Sequence, residues 1–110
     1  MTVHTMSLSQ PWFDLIKAGK KTVEGRTYTE KRKILNVGDT IIFKNGEQSF
    51  EKKIIDLKIF STFEKAIKSA KLKNILPGVK TYKEGVKVYI SIPNYKEQAK
   101  KYGVLNIYLA

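Results

Sequence analysis

Between Gly19 and Arg26 the chain reads Gly-Lys-Lys-Thr-Val-Glu-Gly-Arg, its densest run of residues able to do chemistry. On a regular strand, alternate side chains share a face. Lys20, Thr22, Glu24 and Arg26 then lie together, and Lys21 and Val23 oppose them. If the strand starts only after Lys21, that lysine belongs to the preceding turn and can swing to either side. Gly19 permits this, because glycine adopts backbone conformations that other residues resist. Two cations flanking a carboxylate can grip a phosphate while the carboxylate accepts a hydrogen bond from a base or ribose. The same residues also fit a solvated strand carrying a Glu24–Arg26 surface pair, which contributes little. The spacing is not that of a phosphate-binding P-loop, Gly-x4-Gly-Lys-Ser/Thr.

A second basic group, Lys31-Arg32-Lys33, follows Tyr28. Such a tripeptide can hold phosphates while the ring stacks on a base, or it can be a solvated loop. Lys52-Lys53, Lys65, Lys68, Lys71, Lys73 and Lys100-Lys101 read as solvated faces that widen a phosphate track. The total is 21 basic against 10 acidic residues, a net charge of +11 on 110 residues. A field of that size attracts polyanions, nucleic acid above all. Only Arg26 and Arg32 are arginines, so a coding bias toward lysine competes with that explanation. The excess is spread along the chain, with no basic tail, repeat, low-complexity segment or linker, and the expectation is one domain over residues 1–110.

The remaining composition excludes whole classes. The chain has no cysteine, which removes disulfides, zinc ribbons and thiol catalysis together. A single histidine, His4, builds no multi-histidine metal centre and reads as an ordinary exposed imidazole. No metal and no cofactor are expected. No apolar run approaches the roughly 18 residues of a membrane span, and Met1–Gln10 has no basic-then-apolar leader pattern. The expected location is cytoplasmic, with no membrane partner.

The elements that must position the cluster can be read from periodicity and capping. A first strand is expected over Val3–Leu8, then a short helix with Ser9 as N-cap and a Trp12/Leu15/Ile16 stripe, ended by Gly19. Trp12 thereby reads as core, and Phe13, off the stripe, as a flank of any cleft. A strand over Lys20–Arg26 follows. Thr40–Lys44 and Ser49–Phe60 form a hairpin around Asn45-Gly46. Ser61 with Glu64 caps a helix bearing Phe63, Ala66, Ile67 and Ala70. Leu76-Pro77-Gly78 breaks the chain. Thr81 with Glu84 opens a helix with a Val86/Tyr89/Ile90 stripe, and Asn94 with Glu97 a third, closed by Gly103. Tyr82, Tyr89, Tyr95 and Tyr102 read as packing residues. Val104–Leu109 is the last strand. Five short strands and small helices predict an α+β domain built on a curved sheet or small barrel. The helix between the first two strands allows a crossover with a cleft beside it.

Leu8-Ser9-Gln10-Pro11-Trp12, followed by Leu15-Ile16-Lys17-Ala18-Gly19-Lys20-Lys21-Thr22-Val23-Glu24-Gly25-Arg26, resembles the signature of the ASCH domain, named for homology to an activating signal cointegrator. Val37-Gly38-Asp39, Leu76-Pro77-Gly78, Glu84-Gly85-Val86 and Lys101-Tyr102-Gly103-Val104 fit as well, so the likeness spans nearly the whole chain. It is similar to the small stand-alone members of that family, which belongs to the PUA-like superfamily. The resemblance implies a PUA-like mixed barrel of about five strands with short peripheral helices. Lys21, Glu24 and Arg26 match the family's polar cleft positions, with Gly19 shaping the turn before them. The implied ligand is RNA or a nucleotide.

One branch of the family is an amidohydrolase acting on acetylated cytidine through a Lys-Thr-Glu set. Lys21 matches its lysine. Glu24 stands where the nucleophilic threonine belongs, Thr22 is two positions away, and Ser69–Asn74, near the distal glutamate, holds no acid. Ribonuclease activity is a further option, with Glu24 as general base and Lys21 or Arg26 on the phosphate. A protein-interaction module using the barrel surface is a third reading. The binding candidates are therefore Gly19, Lys20, Lys21, Thr22, Glu24, Arg26, Lys31, Arg32 and Lys33, with Lys21 and Glu24 as the catalytic pair of an enzyme.

Overall fold

Five strands form one sheet in the order β1-β3-β4-β5-β2 in the computed structural model, which describes residues 1–110. They are β1 (Val3–Ser7), β2 (Val23–Thr27), β3 (Thr40–Asn45), β4 (Gln48–Phe60) and β5 (Val104–Leu109). β1 pairs with β3 in parallel, and the other neighbours are antiparallel. The helices are α1 (Trp12–Lys17), α2 (Phe63–Ala70), α3 (Leu72–Ile75), α4 (Tyr82–Ile90) and α5 (Tyr95–Tyr102). The expected α+β fold of five strands with short helices is what the chain forms, its sheet curled into a half-barrel rather than a closed barrel. No helix is long and apolar enough to cross a membrane.

β5 explains how the layers are arranged. Its partners alternate faces, and both faces are covered, so the strand is buried almost throughout. Leu105, Ile107 and Leu109 join Phe13, Ile16, Ile41, Phe43 and Ile54 in one cluster. Val104 joins Val23 and the helical residues Phe63, Ala66, Ile67, Tyr89 and Tyr95 in the other. Each fully buried large apolar side chain here contributes about 1.5–3 kcal/mol. The stripe expected on α2 is the buried one, all four residues being at most 5% exposed. Glu24 and Arg26 pair across from Ile107 and Leu105, so they share the first cluster's face. From there Arg26 Nη2 donates to the Ser7 carbonyl at 2.9 Å, on the opposite edge strand. That reach identifies the concave face, and it spans an open seam where β1 and β2 do not pair.

Several local expectations differ from what forms. In α1 the buried residues are Phe13 and Ile16, while Trp12 is half-exposed. Phe13 packs edge-on against Phe50 at 4.9 Å, so it belongs to the core and does not flank a cleft. Ser9 gives no side-chain cap; the Asp14 amide is capped by Gln10 Oε1. The hairpin loop is Gly46-Glu47, closed by the Asn45–Gln48 pair, with Gly46 at φ +60. Glycine at the first loop position with positive φ is what a II′ turn requires. Thr62, not Ser61, caps α2, whereas Thr81 caps α4 as expected. Asn94 precedes α5 without a side-chain cap bond. A bulge lies between Ile54 and Asp56 and leaves Ile55 exposed, while Ile59, across from Leu105, is exposed near the strand's end. On α4 the buried positions are Gly85 and Tyr89, and Ile90 is exposed. His4 is not exposed: its Nε2 lies 2.7 Å from Asp39 Oδ2.

Candidate functional site

Lys21 is placed by the end of α1. Gly19, at φ +78, turns the chain so that the Lys20 and Lys21 amides both return to the Leu15 carbonyl. The strand then starts at Val23, which leaves Lys20 and Thr22 ahead of it and exposed. Gly19, Lys20 and Thr22 therefore take no part in the cleft lining. Thr22 works through its backbone, donating to Asn74 and accepting from Leu109. Lys21 swings inward and is 2% exposed.

Its ammonium group is surrounded by oxygens. Nζ donates to the Val23 carbonyl at 2.6 Å and to the Ile75 carbonyl, and Glu24 Oε1 stands 3.3 Å away. The three donors of a lysine thus face three acceptors, and none is left for a phosphate. Glu24 Oε2 accepts from Arg26 Nε at 2.9 Å, so the carboxylate lies between two cations at the seam. Burial works to raise the Glu24 pKa, but the Arg26 and Lys21 charges outweigh it and hold the carboxyl below its ordinary range. Burial lowers the Lys21 pKa, with Glu24 opposing it only in part. Arg26 also suffers burial, yet Glu24 carries its pKa upward.

Above the trio lies a cleft of about 350 Å³, within the usual size of small-ligand sites. Its walls include Trp12, Tyr89 and Tyr95, with Ser7, Ser9 and Ser91 at the rim. Tyr89 and Tyr95 are backed by Phe63, which stacks on them at 4.4 and 5.9 Å. Trp12 lies over Lys21 Nζ at 5.6 Å. Burial pushes the Tyr89 hydroxyl well above the phenol range, and that oxygen has no hydrogen-bond partner. Gly25 is required here for space: a Cβ would sit 2.7 Å from Tyr89 Oη. In the sequence Tyr89 and Tyr95 read only as packing residues, because no local pattern distinguishes a core tyrosine from a cleft wall.

The basic tripeptide is divided among three roles. It lies on a 3-10 turn, Glu30–Arg32. Lys33 pairs with Glu30 at 2.9 Å on the surface and covers the Tyr28 ring. Arg32 folds inward to 8% exposure, and Lys31 stays exposed. None of the three lines the cleft above the trio. No three histidine, aspartate or glutamate side chains converge as a metal site would need.

A curled mixed sheet with a polar, aromatic-walled cleft at its seam defines a PUA-like domain. The ASCH domain model matches residues 6–110, and the chain belongs to the ASCH family. It is similar to two solved structures. One is the crystal structure of hypothetical protein PH0355, with a TM-score of 0.88 and 40% identity over 99% of this chain and 97% of that one. The other is the solution NMR structure of protein PF0455 from Pyrococcus furiosus, with a TM-score of 0.80 and 35% identity over 98% and 96%. No curated protein matches the chain.

Proposed function

We propose that this chain works as one domain that binds RNA by taking a single base, or a nucleoside-like ligand, into the cleft above Lys21, Glu24 and Arg26. The observation that carries this reading is a compensated buried charge trio beneath three aromatic rings. Aromatic walls accept the flat face of any base, each stacking contact contributing about 1–3 kcal/mol. Glu24 has about four lone-pair sites and meets only Arg26 and Lys21, so it can accept from a base amino or imino group. Arg26 commits Nε to Glu24 and Nη2 to Ser7, and its Nη1 donors can meet an acceptor on the same base edge. Lys21 is a positioning residue that fixes Glu24, rather than the phosphate contact its charge suggests. The outlying lysines supply salt-dependent affinity without sequence preference.

The hydrolase reading gains less support. A nucleophilic hydroxyl would have to lie beside Lys21, whose partners are two carbonyls and Glu24. Thr22, the nearest hydroxyl in sequence, is exposed outside the cleft.

A polarisation titration of labelled short single-stranded RNAs at low and moderate salt tests the binding reading. The Glu24→Ala/Arg26→Ala protein should lose at least tenfold in affinity while most of the salt dependence survives. Equal binding by both proteins would reduce the affinity to bulk electrostatics and end this reading.

A further inference from the structure

Arg26 and Ser7 do not only close the cleft; both also line a second groove on the other side of their hydrogen bond. That groove measures about 510 Å³ and runs between the free edge of β1 and the turn carrying Lys31 and Arg32. None of its lining residues is acidic.

Arg32 is the unexplained group in it. It is 8% exposed, yet it has no carboxylate partner. Nη1 donates to the Thr27 carbonyl at 3.3 Å and to Thr29 Oγ1 at 3.2 Å, both neutral oxygens. Nε is buried with no partner at all, and Nη2 donates no hydrogen bond within the protein. A buried charge without a counter-charge is expensive. Burial lowers the Arg32 pKa; Tyr95 and Glu24 oppose that only in part, and the neighbouring Arg26 adds to it. Glu24 compensates Arg26 but makes no salt bridge to Arg32.

The β1 edge supplies neutral donors. Thr40 N–H donates to the Thr2 carbonyl and Leu8 N–H to the Lys44 carbonyl, so even-numbered residues direct their backbone groups to β3. Odd-numbered Thr5 and Ser7 then turn theirs toward the groove, where the Ser7 carbonyl is already met by Arg26. The Thr5 N–H faces the groove without a strand partner.

We propose that this groove is a phosphate subsite: it holds the phosphodiester group attached to a nucleotide whose base occupies the Trp12–Tyr95 cleft, with Arg32, Lys31 and Arg26 as counter-charges. The proposal rests on the base-binding reading and adds to it a direction for the strand, across the seam beneath Ser7. An anion there supplies the missing partner of Arg32, and Thr5 N–H contributes one further donor of the kind that positions nucleic-acid backbones.

The chain has only two arginines, so their Nε–H signals in a ¹H–¹⁵N spectrum give two resolvable reporters, assigned with Arg32→Lys. Titration with inorganic phosphate, against sodium chloride at matched ionic strength, should move the Arg32 signal saturably. Lys31→Ala, an exposed change that leaves the fold intact, should weaken that response at least threefold. An Arg32 signal that moves no more with phosphate than with chloride overturns the subsite. Dinucleoside monophosphates, followed through Trp12 fluorescence, should bind at least tenfold tighter than their nucleosides, and Lys31→Ala should remove most of that gain. Nucleosides that bind, with dinucleotides no tighter, sink the subsite and leave the base cleft standing. Nucleosides that fail to bind, while phosphate still shifts Arg32, sink the base cleft instead.

Discussion

Two charged clusters, similar in composition, behave oppositely. Lys21, Glu24 and Arg26 are buried at the seam with each charge facing another, whereas Glu30, Lys31 and Lys33 lie on an exposed turn. In the first cluster desolvation forces compensation, because a buried unpaired charge costs several kcal/mol. In the second, water does the compensating, and the Glu30–Lys33 pair fixes little. A buried trio has a fixed geometry and can discriminate; a solvated one attracts and steers. Arg32 stands between them, buried like the trio but without its counter-charge.

The largest effect should come from breaking the compensation. Glu24→Ala leaves Lys21 and Arg26 buried beside each other and should cost about 3–5 kcal/mol in urea unfolding. A loss below about 1 kcal/mol would put Glu24 in the same category as the exposed pair. Next in size, Gly25→Ala forces a methyl against Tyr89 Oη and should destabilise by about 1–3 kcal/mol. It should also weaken RNA binding, since Tyr89 is a cleft wall.

Acid titration sharpens the contrast further. The folded pKa of Glu24 lies below its unfolded value of about 4.3, so in the interval the unfolded chain holds the extra proton. Glu24's contribution is complete above that value and is lost as pH falls through the folded pKa. Glu24→Gln should therefore make stability fall less steeply with acid. Asp39, held low chiefly by its hydrogen bond with His4, keeps a residual slope in both proteins. An unchanged slope would separate Glu24 from the acid response. The smallest effect belongs to the surface: Lys33→Ala should leave the unfolding midpoint where it is, and a clear shift would mean the turn is more than solvated.

What could be read from the sequence follows the range of the forces. The α2 stripe and the Thr81 cap are decided within one or two turns, and they form as periodicity and spacing predict. The ASCH likeness is carried by a long run of residues, and the family and the fold it implies are what the chain has. The inward turn of Lys21 is set by the Ile75 carbonyl, 54 residues away, which no local pattern contains. α1, only six residues long, is too short for periodicity to fix its phase, hence the exchange of Trp12 and Phe13. The tyrosine walls come from α4, which packs on α2, and α5, which packs on β2, and both dockings are tertiary results. Arg32 reads as one of three equivalent cations until the 3-10 turn sends it inward.

Trp12 is the only tryptophan in the chain and lines the cleft, so its emission reports on that site alone. Titrating it with the four uncharged ribonucleosides removes phosphate attraction from the question. At least one nucleoside should change Trp12 emission saturably, with little dependence on salt and with the response lost in Glu24→Gln. If none does, while RNA still binds with a steep salt dependence, the cleft does not read a base.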